Sequence, residues 1–310
     1  MGNTIANFIL SIIMAILSIF GIGTGGGGQG PINTTPTGYD IMSNVSYGTS
    51  SQQAFDLMIP EGIGETLSLA VYIHGGAWMG GDKSLEIDTY TPMAKEKGMI
   101  AASLNYRLLK IDDASLTLND QLQDINSAIT KIVQICTSKG YKIKKALIWG
   151  ESAGAHLALM YSYTWKDRCP VDIGLCYSIC GPTNLCDPWY YTDGEIPPHQ
   201  MLILQSRITG LNITSDNLLS GTTVDALRRC SPINYVNAGT VPTIFNSCGR
   251  DTLVPVSNGE DLAKILKANF VDYYYVEFPN SNHCGRNGLD STVCIKFDKK
   301  LDQMINTYVK

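Results

Sequence analysis

The chain has 310 residues, 44% hydrophobic and 16% charged, which excludes global disorder and allows one large buried core. The formal net charge of −5 excludes the basic footprint that a nucleic-acid-binding surface needs. Its nine cysteines contain no Cys-x-x-Cys pair and no metal-type spacing, so no metal and no cofactor is expected. Most of these thiols read as small buried hydrophobes, with a disulfide or two left open if the protein is exported.

The first residues differ from the rest. Phe8 to Ile22 is an uncharged apolar run of 15 residues, short for a membrane span but suited to a signal-peptide core. No Lys or Arg precedes it and no Ala-x-Ala site follows it. Residues 1–23 are nonetheless expected to be a signal peptide or membrane anchor, the alternative being a hydrophobic helix docked on the domain. The expected location is secreted or membrane-tethered, and cytoplasmic if the run is not a signal. Residues 24–38 read as a Gly-rich linker. Gly23, Gly25 and Gly28 satisfy Gly-x-Gly-x-x-Gly formally, but no strand precedes them and no acidic partner is suitably placed, so no dinucleotide site is expected.

Residues 39–310 form the expected domain. Two early strands, "YDIMSNVSY" and "QAFDLMIP", read as an antiparallel pair. Strand-like runs follow at 67–75, 98–106, 145–150, 172–180, 242–249 and 271–278. Helices are expected over 119–140 with Asn119 as N-cap, after Ser152, from Ser257 with a capping box to Glu260, and at the C-terminal end. Strands alternating with helices predict an α/β fold, an eight-stranded and mostly parallel sheet covered on both faces. Residues 181–241 break the alternation; so long a connection after the sixth strand predicts a lid or pocket-forming insertion.

The stretch "LIWGESAGAHLA" places Ser152 in Gly-x-Ser-x-Gly where an apolar strand run meets a helix-favouring one. That is the pattern of a nucleophile elbow, which holds a serine hydroxyl clear of the sheet at the start of a helix. A serine needs a base to take its proton and an acid to orient the base. In this architecture the order is Ser, acid, His. Of the later histidines, His156 lies too near in the elbow helix and His199 sits at a helix start after Pro197 and Pro198. His283 follows the last strand and Asp251 follows the one before it, so they are the expected base and acid. The oxyanion donors are expected from the amide of Ala153 and from the loop "HGGAWMGGDK", through Gly76 and Ala77. His74 in the same loop is expected to brace it.

The ordered set "HGGAW", "NYRL", "GESAGAHLA", "SPINYV", "GRDTLVP" and "NSNH" resembles the α/β-hydrolase superfamily over roughly residues 40–310. Within it the chain is similar to the hormone-sensitive-lipase-like and carbohydrate-esterase-like branch with a His-Gly-Gly-x-Trp loop. The resemblance implies a Ser152–Asp251–His283 triad and a serine carboxylic-ester hydrolase acting on short-chain or carbohydrate-linked esters. An arylformamidase-like amide hydrolase with the same triad and a non-catalytic binding protein are the alternatives. Trp78, Trp189 and Tyr190 are the expected substrate-contacting aromatics, because rings offer apolar area to an acyl chain and a stacking face to a sugar.

Overall fold

A strand covered on both faces must be apolar at every position, whereas a half-exposed one alternates. The computed structural model describes residues 36–84 and 87–310. The expected signal or anchor, and all but the end of the linker, lie outside the described residues. Strand β3 (Thr66–Ile73) is buried throughout after Thr66, and β4 (Ile100–Leu104) is buried throughout. β5 (Lys142–Glu151) starts with alternating exposure and becomes continuously buried from Ala146 to Gly150, as "KIKKALIWG" suggests. With β1 (Gly38–Ser46), β2 (Ala54–Glu61), β6 (Ile173–Ile179), β7 (Thr243–Cys248) and β8 (Tyr273–Phe278) they form one sheet. Its order is β1-β2-β4-β3-β5-β6-β7-β8. β2 runs antiparallel to both its neighbours, and the other pairs are parallel.

The two-residue side-chain period divides each central strand between two cores. Leu69, Val71 and Ile73 of β3 join one, with Ala146 and Ile148 of β5; Ala70, Tyr72, Leu147 and Trp149 join the other. The first core is covered by α2 (Leu118–Ser138), α3 (Ala153–Thr164) and α7 (Val256–Ala268). The second is covered by α1 (Ile87–Lys97) and α8 (Ser291–Tyr308). α2 buries Leu118, Leu122, Ile125, Ile129, Ile132 and Cys136, one stripe at helical spacing. α3 is buried all round, which accounts for its lack of charge.

Two helix starts differ from the sequence expectation. The N-cap of α2 is Thr117, not Asn119; the Asp120 carboxylate accepts from the Thr117 amide and hydroxyl, each at 2.9 Å. Helix α7 starts one residue early, behind Pro255, and Ser257 Oγ–H donates to Asp187 at 2.7 Å instead of capping. In both cases a tertiary or alternative local acceptor outcompetes the cap read from spacing.

Between β6 and β7 lie α4 (Trp189–Thr192), α5 (Pro198–Thr209) and α6 (Gly221–Arg229). Their residues Tyr190, Leu204, Ile208 and Leu227 belong to the same core as α2 and α3. No helix among the described residues is long and apolar enough to cross a membrane.

The strand order creates one special place. From β3 the chain crosses to β4 on one side; from β5 it crosses to β6 on the other. The connections therefore diverge, leaving a crevice beyond the carboxyl ends of β3 and β5.

Candidate active site

Ser152 closes β5 and opens α3 with φ 51° and ψ −123°, a conformation that L residues rarely adopt. Its amide donates to the Ile179 carbonyl at 2.8 Å and its carbonyl accepts from His156 N at 3.0 Å. The flanking glycines are required by contact. A Cβ on Gly150 would lie 2.4 Å from the Ile73 carbonyl oxygen, and one on Gly154 only 2.1 Å from the same atom. No side chain fits where the elbow presses against the end of β3.

The three residues expected to act together are brought into one line. Ser152 Oγ–H donates to His283 Nε2 at 2.8 Å, and His283 Nδ1–H donates to Asp251 Oδ2 at 2.7 Å. With Nδ1 protonated toward the carboxylate, Nε2 is left as the acceptor that a base requires. The other Asp251 oxygen accepts from the Leu253 and Val254 amides, at 2.8 and 2.9 Å, which fixes the carboxylate plane. Both side chains are buried, 4% exposed for His283 and 0% for Asp251. Burial pushes the imidazole pKa down, but the charge and hydrogen bond of Asp251 outweigh it, and the pKa lies above the ordinary histidine value.

The loop after β3 bends sharply beside Ser152. Gly76, Ala77 and Trp78 have φ of 112°, 50° and 61°. A Cβ on Gly76 would lie 2.3 Å from the Gly80 oxygen, so only glycine turns there. Among the described residues no protein acceptor takes the amides of Gly76, Ala77 or Ala153. Ala77 and Ser152 both line one narrow pocket. His74 donates from Nδ1 to the Gly75 carbonyl at 2.7 Å and stacks on Tyr106 at 4.4 Å, while Tyr106 O–H donates to the His74 carbonyl at 2.9 Å. Burial pushes the His74 imidazole down to about 4, so it is a neutral brace at pH 7.

The loop is held from further points that the motifs do not reveal. The Trp78 carbonyl accepts from Leu109 N at 2.9 Å and from the buried Gln121 side chain at 3.0 Å. The Trp78 indole N–H donates to His156 Nδ1 at 3.2 Å, and His156 Nε2–H donates to the Cys230 carbonyl at 2.7 Å. His156, too close in sequence to serve as the base, thus ties the loop after β3 to the elbow helix and to the end of α6. Its position one turn beyond Ser152 in α3 is the only sequence hint.

The pocket is walled by Trp78, Tyr190, Met201, Leu204 and Ile208 and closed by Leu253 and Val254. Its polar side chains are already engaged. Gln205 donates to the Leu185 carbonyl at 3.0 Å and accepts from Tyr191 O–H, and Tyr190 O–H turns away to Asn258 at 3.3 Å. Of the three aromatics expected at the substrate, Trp78 and Tyr190 line the pocket and Trp189 does not. The Trp189 ring packs edge-on against Tyr190 at 5.9 Å and against Gly194. Among the described residues no cluster of His, Cys, Asp or Glu could hold a metal ion.

Several known proteins share parts of this chain. Cholinesterase 2 of Branchiostoma lanceolatum is 37% identical over 101 residues, 31% of this chain and 29% of that protein. A probable isoprenylcysteine α-carbonyl methylesterase of Oryza sativa subsp. japonica is 27% identical over 118 residues, 38% of this chain and 27% of its own. The matched stretch thus spans less than a third of these curated relatives. Among solved structures, a bacterial heroin esterase superposes with a TM-score of 0.68 at 16% identity, covering 98% of this chain and 91% of its own. Esterase B from Lactobacillus Rhamnosis (HN001) does so with a TM-score of 0.66 at 17% identity, covering 89% of both. These likenesses show the α/β-hydrolase fold. The BD-FAE family model matches residues 55–266, which takes in the loop after β3, Ser152, the insertion and Asp251, and the chain belongs to the BD-FAE family.

Proposed function

We propose that this protein is a serine carboxylic-ester hydrolase that works through an acyl-enzyme on short-chain or carbohydrate-linked esters. The observation that carries the reading is the continuous hydrogen-bond line from Ser152 Oγ through His283 to Asp251, at 2.8 and 2.7 Å. His283 Nε2 takes the serine proton as Oγ attacks the ester carbonyl carbon. Asp251 holds the imidazole and balances the imidazolium charge. The amides of Gly76, Ala77 and Ala153 receive the developing oxyanion. His283 then protonates the departing alcohol, and a water, deprotonated by the same nitrogen, releases the acid.

The pocket beside Ser152 supports a small apolar acyl group, because its walls are hydrocarbon and its polar atoms are spent on the protein. The test is hydrolysis of p-nitrophenyl acetate and butyrate by the native protein and by Ser152→Ala, with fluorophosphonate labelling of Ser152. Hydrolysis that survives the substitution would refute the assignment. A formamide-cleaving reading is favoured only by the 25% identity over 119 residues with the kynurenine formamidase of Danio rerio. Turnover of N-formylkynurenine at a rate above that of the aryl ester would establish it.

Export or membrane tethering through residues 1–23 is part of the same proposal, supported by the uncharged apolar run. Fractionation of the producing cells, with N-terminal sequencing of the recovered protein, tests it.

A further inference from the structure

Cys180 follows the last residue of β6, and Cys248 is the last residue of β7. Their sulfurs lie 3.1 Å apart, and the residues are only 2% and 1% exposed. The Asn246 side-chain amide donates to Cys180 Sγ at 3.3 Å. A third thiol, Cys284, donates to the Ile179 carbonyl at 3.7 Å and also lies beside Cys180. No step of the ester mechanism uses these sulfurs. Cys180 also holds φ 49°, a conformation that costs a non-glycine residue energy and that its surroundings must enforce.

The position of the pair in the chain gives it a purpose. Residues 181–241, the longest interruption of the α/β pattern, leave the sheet immediately after Cys180 and return to it on the strand that Cys248 ends. β6 and β7 pair in parallel, with Ile179 opposite Asn246, so the carboxyl ends of the two strands stand side by side. A covalent bond between the two sulfurs would close a loop around the whole insertion. That insertion supplies Tyr190, Met201, Leu204 and Ile208 to the pocket.

We propose that Cys180 and Cys248 form a structural disulfide that ties the carboxyl ends of β6 and β7, and so closes the loop that carries the insertion, when the protein folds under oxidising conditions. Two S–H bonds break and one S–S bond forms. The two electrons and two protons pass to a small-molecule disulfide such as oxidised glutathione, which leaves as two thiols. The sulfurs need to close by about 1 Å to reach bonding distance. Burial pushes the Cys180 thiol well above its ordinary pKa, so thiolate is scarce in the native protein and the bond forms during folding. The same burial then shields it from reductants.

The experiment refolds the full chain from denaturant in a reduced and oxidised glutathione buffer and, in parallel, in dithiothreitol. Free thiols are alkylated and the peptides mapped without reduction. The expected result is a peptide joining Cys180 to Cys248, two hydrogens lighter than the sum of its parts. The oxidised protein should melt about 5–10 °C above the reduced one, because the cross-link restricts the long loop of the unfolded chain. Hydrolysis of p-nitrophenyl acetate should stay within about twofold, since neither sulfur meets the reacting atoms. Cys180→Ser should abolish the melting difference. If that variant does not fold, the native chain compared with and without dithiothreitol decides the matter. Recovery of both cysteines alkylated, linkage of either to Cys284, or equal melting temperatures in the two buffers would overturn the proposal.

Discussion

Replacing His156 with leucine tests whether the bracing behind the loop after β3, the proposed oxyanion loop, matters for catalysis. His156 is fully buried, its Nδ1 accepts from the Trp78 indole and its Nε2–H donates to the Cys230 carbonyl. Leucine fills similar space but can neither accept nor donate. It leaves a buried N–H and a buried carbonyl unpaired, each costing about 1–3 kcal/mol, so a net loss of about 2–4 kcal/mol is expected. For a chain of this size that lowers the melting temperature by about 5–15 °C. The kinetic effect should be separate. Trp78 adjoins Ala77, both hold left-handed φ, and the indole bond is one of the ties that keep them there. Complete loss of one oxyanion donor costs about 100–1000-fold in kcat, so a loosened loop should cost about 10–100-fold with KM little changed. Trp78→Phe removes the same bond from the other side, so the double variant should lose less than the sum of the two singles. Thermal melts and steady-state kinetics on p-nitrophenyl butyrate, both well below the lower melting temperature, give the two readouts. A fall in melting temperature with kcat unchanged within about twofold would refute the reasoning and leave His156 as packing alone.

Ser152→Ala should lower kcat on aryl esters by at least about 1000-fold with the fold intact, checked by circular dichroism alongside kinetics. The acid limb of kcat/KM should have its midpoint above the ordinary histidine value of about 6.5, because Asp251 holds the His283 pKa up and only neutral His283 accepts the serine proton. The stability gained from charging His283 beside Asp251 is full below the unfolded value and fades as pH rises through the raised native one. Asp251→Asn should therefore destabilise the protein more at pH 6 than at pH 9, read by melts across that range. Gly154→Ala places a Cβ 2.1 Å from the Ile73 carbonyl and should cost more than about 3 kcal/mol in a denaturant melt, since neither backbone can yield without moving a core strand. Trp189→Ala should lower the melting temperature without changing relative rates across acyl lengths, whereas Tyr190→Ala should change those rates, since only Tyr190 lines the pocket.

Much of this molecule could be read from local pattern. The runs 67–75, 98–106 and 145–150 were legible as central strands because burial on both faces demands unbroken apolar sequence. Gly150, Ser152 and Gly154 marked the elbow because only glycine tolerates the approach of Ile73 and His74, a constraint written into residue type. Asp251 and His283 could be chosen because each follows a strand, and a parallel sheet brings the carboxyl ends of its strands to one edge. What depended on contacts distant in sequence could not be read this way. Thr117 rather than Asn119 caps α2 because Asp120 reaches back to it, and boundaries of this kind turn on one hydrogen bond. Trp189 and Tyr190 are neighbours in a four-residue helix, too short for a periodicity that would say which ring faces the pocket. His156 acquires its role from Trp78 and Cys230, 78 and 74 positions away, and Cys180 meets Cys248 across 68. Pairings of this length carry no local signal. They exist because parallel strands, joined through long crossovers, bring together residues that the chain itself keeps apart, and only the folded sheet decides which.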